Sequence, residues 1–232
     1  MGCTELRARA QPAASPLIRM ATAPTLLASA GLLLLLGLSW RLAAGSDGAQ
    51  ATPWFQVTVA AVLVGCAALG WLRPASVGLT APQVMLLLGA AGMVAGLWLD
   101  ARSGGLAALA ALCLGGPGNL WGTLALHWRE LPLMHLGMVA GGLATVPLLR
   151  SLRKGCRRQF CAHLAQNLLC SSWMVTGMAG GTVAFMHLAA GSSGRGASAM
   201  LGGMFGGMVW GMVASVAIYR LWIRAAGRLS RA

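Results

Sequence analysis

Six stretches of this sequence stay apolar for about the 20 residues that a helix needs to cross a hydrocarbon bilayer. They are 21–40, 54–72, 82–99, 131–149, 167–190 and 198–219. In lipid a spanning segment must satisfy its own backbone hydrogen bonds, so runs of this length fold as helices. The expected fold class is therefore all-α: a polytopic integral membrane helical bundle of about six transmembrane helices. The organisation expected is a cytoplasmic tail over 1–20, a single membrane domain over 21–222 and a basic cytoplasmic tail over 223–232. Residues 21–40 are long enough to span, so the first run reads as an uncleaved helix and not as a cleaved signal peptide.

Composition excludes the soluble alternatives. Hydrophobic residues make up 57% of the 232 residues and charged residues 9%, with a mean hydropathy of +0.73. A soluble domain carries roughly 25% charged residues. The net charge of +13 does not point to nucleic acid, because the cations fall between apolar runs and not on one polar face.

The segment 105–128 is expected to be kinked or re-entrant. Its apolar run is broken by Gly115-Gly116-Pro117-Gly118, and Pro and Gly both interrupt helices. Charge counting supports a segment that does not cross. With six spans and both termini on one side, 13 Lys and Arg share that side and 4 lie opposite. If 105–128 crossed, the split would be 11 to 6. The positive-inside rule thus selects six spans with cytoplasmic termini. An Arg-, Ala-, Gly- and Leu-rich composition suggests a bacterial inner (cell) membrane. Trp40, Trp54, Trp98 and Trp128 at outer ends, with Trp71, Tyr219 and Trp222 at inner ends, fit an interfacial belt. Trp173 and Trp210 fall within spans and are expected to pack against helices.

Enzymatic chemistry is not expected. The four acids, Glu5, Asp47, Asp100 and Glu130, all lie outside the middle of a span, and no GxSxG, HExxH or phosphate-binding loop is present. Asp100, His127, Arg129 and Glu130 bracket an outer loop and are expected to cap helix ends in water. The loop 150–158 holds five cationic charges, and Cys156 and Cys161 flank its end and are expected to be free thiols in a reducing compartment.

A short phrase recurs: Gly92-Met93-Val94-Ala95-Gly96, Gly137-Met138-Val139-Ala140-Gly141, Gly177-Met178-Ala179-Gly180 and Gly211-Met212-Val213-Ala214. Duplication or chance would each produce it. Glycines at four-residue spacing let helix backbones approach closely in lipid. Gly203, Gly207 and Gly211 form one such ridge, Gly177 and Gly181 another, and Gly89, Gly92 and Gly96 a third. These are expected seams within the bundle, or, for Gly203, Gly207 and Gly211, with another copy or a membrane-complex partner.

Thirteen methionines add a second pattern. Met134 and Met138, Met174 and Met178, and the ladder Met200, Met204, Met208 and Met212 all repeat at four residues, along one helix face. On the fifth span His163, Asn167, Cys170, Met174 and Met178 share a face. Thioethers and thiols select soft ions such as Cu(I), and imidazole suits copper, zinc and iron. The candidate metal residues are therefore His163, Cys170, Met174 and Met178, with Met134, His135, His187, Met200 and Met204 as an outer mouth. The leading expectation is a membrane protein that binds or transports a soft metal ion, with copper as the implied cofactor or cargo.

The Met174–Met178 pair followed by the Gly203, Gly207 and Gly211 seam resembles the Ctr-type copper transporters, which carry Met-xxx-Met in one helix and Gly-xxx-Gly in the next. The likeness is one of motif and is confined to residues 174–211. That family has fewer spans per chain and a Met-rich outer tail that this chain lacks. Two other readings stand beside it. In one, Met and Gly only pack helices in a structural or assembly subunit, since Met fills irregular gaps well. In the other, His135 and His187 hold a b-type haem axially.

Overall fold

The structure is a computed structural model that describes residues 23–47, 51–72, 82–102, 120–152, 160–189 and 197–229. Among these it is all-helical: α1 (Ala23–Asp47), α2 (Ala51–Leu72), α3 (Pro82–Arg102), α4 (Leu120–Glu130), α5 (Pro132–Leu152), α6 (Phe160–Ala189) and α7 (Ala197–Leu229). Residues 1–20, 103–119 and Cys156 lie outside the described set, as does the side chain of Cys161.

The apolar runs become helices whose large side chains face outward as readily as inward. Leu26, Leu27, Leu34, Val64, Leu136, Leu169 and Leu221 are all exposed, which suits a surface bathed in lipid and would be costly in water. Segments in α2, α3, α6 and α7 are long and apolar enough to cross a membrane, and the bent pair Leu124–Glu130 and Pro132–Leu148 adds a fifth if counted as one span. The apolar part of α1, Thr25–Arg41, is shorter. Several hydroxyls within the helices are returned to the preceding turn of their own helix. Ser29 donates to the Thr25 carbonyl at 2.8 Å, Thr58 to Trp54 at 2.8 Å, Thr176 to Ser172 at 2.9 Å and Thr182 to Met178 at 2.9 Å. This local bonding removes the cost of a bare hydroxyl in hydrocarbon.

Two antiparallel helix pairs form the body of the bundle: α3 with α5, and α6 with α7. Glycine makes both seams. A methyl added at Gly92 would run into the Gly137 carbonyl, one at Gly96 into the Leu133 carbonyl, and one at Gly141 into the Leu88 carbonyl. In the second seam Gly177 meets Gly207 and Gly211, and Gly181 meets Gly203 and Gly207. The recurring phrase thus pairs with itself. The α3 copy lies on the α5 copy, and the α6 copy on the α7 copy. The Gly203, Gly207 and Gly211 ridge is used inside this chain.

Helix α7 is the hub. It packs on α6, α2, α1 and α3, and its apolar stretch is more deeply buried than those of α2, α3 and α6. Arg220 ties its far end to α2 by donating from Nη1 to the Leu72 carbonyl at 2.9 Å, a favourable place for a cation at a helix C-terminus.

The aromatic residues depart in part from a simple belt. Trp71, Trp98, Trp128 and Trp222 are exposed, as interfacial rings should be, but Trp40 is buried and packs edge-on against Phe55 at 5.1 Å. Trp210 packs in part against a neighbouring helix, its Nε1 standing 3.8 Å from where a methyl on Gly65 of α2 would lie. It is 44% exposed and borders an open apolar groove of about 470 Å³ along the α6–α7 seam.

The break expected at Gly115-Gly116-Pro117-Gly118 lies outside the described residues, and a separate bend follows it. Residues 120–130 are helical, and the chain bends by 99° between Leu124–Glu130 and Pro132–Leu148. Pro132 explains the position. It disfavours helical geometry at Leu131 and has no N–H to continue the ladder, and it is well suited to open the next helix.

Candidate functional site

The bend at Leu131 creates a buried polar cluster between the end of α3 and the start of α5. Helix α5 begins with N–H groups that have no partner in their own helix. Asp100, on the last turn of α3 and only 3% exposed, supplies one from outside. Its carboxylate accepts the Met134 N–H at 2.9 Å and the Leu133 N–H at 3.4 Å. The residue expected to cap a helix end in water does cap one, but inside the protein and on a different helix. A carboxylate at a helix N-terminus is also favoured by the helix dipole.

Beside this cap lie two histidines that are almost wholly buried, His127 at 1% and His135 at 0% exposure. The Leu131 N–H donates to the His127 carbonyl at 2.8 Å, which carries the α4 bonding pattern up to the bend. His135 Nδ1 lies 2.9 Å from the Leu131 carbonyl oxygen. A carbonyl only accepts, so Nδ1 carries the proton and Nε2 presents a lone pair. That Nε2, and both ring nitrogens of His127, are buried with no protein partner among the described residues. The two rings are 5.7 Å apart at 45°, and Trp128 stacks on His135 at 5.1 Å and 24°.

The thioethers occupy the adjoining core. Met85, Met93, Met134, Met138, Met174, Met178, Met200, Met204, Met208 and Met212 are all buried in one hydrophobic cluster. Three of them meet around two glycines. A methyl at Gly89 would stand 3.5 Å from Met174 Cε and 3.8 Å from Met138 Cγ, and one at Gly142 would stand 3.4 Å from Met85 Cε and 3.7 Å from Met174 Cε. Met85 of α3, Met138 of α5 and Met174 of α6 therefore share one level of the bundle. Cys170 is also buried but turns to α7, where its sulfur accepts the Ser215 hydroxyl at 3.2 Å. Ser171, whose Oγ would stand 3.0 Å from a methyl at Gly142, and Thr145 are buried hydroxyls without a protein partner among the described residues.

The expected stripe on α6 is thus inward-facing at Asn167, Cys170, Met174 and Met178, while the His163 side chain lies outside the described residues. Of the expected outer mouth, Met134, His135, Met200 and Met204 are buried, whereas His187 is exposed near the end of α6. The rings that His135 meets belong to His127 and Trp128. His127 is the residue that span counting assigned to a loop. The signal for it was the Leu131-Pro132 step, where the chain turns by 99° and sets α4 across the start of α5.

Among the described residues no three His, Cys, Asp or Glu side chains gather as a metal cluster. Comparison of the chain with protein-family models, with curated proteins and with solved structures gives no match.

Proposed function

We propose that this chain is a multi-pass membrane protein of the bacterial inner membrane, with both termini cytoplasmic, that binds a soft metal ion, Cu(I), on the thioethers of its core. The observation that carries the reading is the meeting of Met85, Met138 and Met174 from three helices at one level. Thioethers favour Cu(I) over harder ions, and several weak sulfur sites allow an ion to leave each site that it enters. Transport along the α6 and α7 ladders would follow from that property. The chain catalyses no reaction in this reading.

The test is copper loading of the purified protein in detergent under reducing conditions, with a Met174→Leu/Met178→Leu variant beside it. Bound copper that falls in the variant supports the reading. Wild type and variant equally free of copper sink it.

A structural or assembly subunit is the second reading, and one observation favours it. Met174 packs its methyl against the space left by Gly89 and Gly142, while Cys170 turns to Ser215 on α7. Side chains that face different neighbours suit packing better than a shared path. The haem alternative has less support, because His187 is exposed while His135 is wholly buried.

A further inference from the structure

We propose that His127 and His135 together bind one Cu(I) ion at the bend between α4 and α5, a two-imidazole site separate from the thioether core. The proposal rests on the soft-metal reading for the identity of the ion, but on different residues for the site.

The first support is the state of the nitrogens. Three imidazole nitrogens are buried without a protein partner, in two side chains at 1% and 0% exposure. A buried polar atom left bare is costly, and most find a partner. The second support is tautomer. His135 gives its Nδ1 proton to the Leu131 carbonyl, which is how a ligating histidine is commonly oriented, with Nε2 left for the metal. The third support is spacing. With metal–nitrogen bonds of about 2.0 Å, each imidazole centre stands about 3 Å from a shared ion, so two rings lie roughly 5–6 Å apart when the N–metal–N angle is bent and slightly over about 6 Å when it is straight. These rings are 5.7 Å apart.

The surroundings fix the pair. Asp100 clamps the N–H groups of Leu133 and Met134, immediately before His135, and Trp128 covers the His135 ring. The ligand count selects the ion. Zinc sites take three or four protein ligands, and no third His, Cys, Asp or Glu completes such a group among the described residues. Two neutral imidazoles suit Cu(I), which accepts low coordination numbers.

The experiment uses the full chain in detergent, loaded anaerobically with Cu(I) in the presence of ascorbate. Copper per chain is measured together with X-ray absorption at the copper edge. Wild type, His127→Gln, His135→Gln and Met174→Leu/Met178→Leu are compared, each checked for helical content and monodispersity. The expected result is an imidazole-nitrogen shell in wild type, with one copper per chain lost in either histidine variant and that nitrogen-bound copper kept in the methionine variant. Copper bound by sulfur alone in wild type, or unchanged copper in both histidine variants, overturns this site and leaves the thioether reading standing. Nitrogen-bound copper that survives the methionine variant at full stoichiometry removes the thioether reading and keeps this site. Wild type without copper removes both. Should a histidine variant fail to fold, the wild-type absorption spectrum still decides between nitrogen and sulfur.

Discussion

The carboxylate of Asp100 accepts the backbone N–H of Met134 at 2.9 Å, so the last turn of α3 caps the first turn of α5. Replacing a capping side chain with Ala typically costs about 0.5–2 kcal/mol. Asp100→Ala is therefore expected to lower thermal stability in detergent by about 1–2 kcal/mol, whereas Asp100→Asn keeps an acceptor and loses less. Equal stability of Asp100→Ala and wild type would show that the cap does not hold the bend.

The glycine seams make a sharper test. Gly92 and Gly207 sit against backbone carbonyls, whereas a methyl at Gly206 would rest 3.6 Å from the Ala61 side chain and one at Gly37 would meet nothing within 4 Å. Gly92→Ala and Gly207→Ala should each destabilise by about 1–3 kcal/mol, the usual cost of overpacking. Gly206→Ala should be tolerated, and Gly37→Ala should gain up to about 1 kcal/mol of helix propensity. Unfolding in mixed micelles would rank the four, and a reversed order would contradict the packing of both pairs.

Met174 separates packing from ligation. Leu is close to Met in volume, and such swaps usually cost less than about 1.5 kcal/mol, whereas truncation to Ala costs about 2–5 kcal/mol. Met174→Leu should thus keep the fold and Met174→Ala should weaken it in the same unfolding assay. A large loss for Met174→Leu would mean that the sulfur itself matters to stability.

Orientation is tested by fusions. On the six-span reading 13 cations share the side of the termini and 4 lie opposite, so that reading expects a fluorescent protein joined to the C-terminus to fluoresce and alkaline phosphatase joined there to be inactive. The opposite pair of results would overturn the six-span charge assignment.

The spans were readable because lipid imposes one rule on every segment, apolar length, and each expected run overlaps an observed helix. The run 131–149 became Pro132–Leu152, and 82–99 became Pro82–Arg102. The glycine ridges were readable too, since only Gly permits the approach seen at Gly92 and Gly207. Partners were not readable. Four-residue spacing says that Met174 and Cys170 share a face, but not that one meets Gly89 and the other Ser215. His127 was hidden for a different reason. Its burial depends on a 99° turn, which no periodicity within a single helix encodes.

The hub position of α7 has a consequence for biogenesis. A chain is made from its N-terminus, and α7 emerges after every helix that it contacts. Until it is inserted, the glycine face of α6 and the inner face of α2 meet only lipid or a chaperone. Final closure of the bundle must therefore follow translation of α7. A chain stopped before residue 197 would keep the α3–α5 seam but leave the glycine face of α6 uncovered.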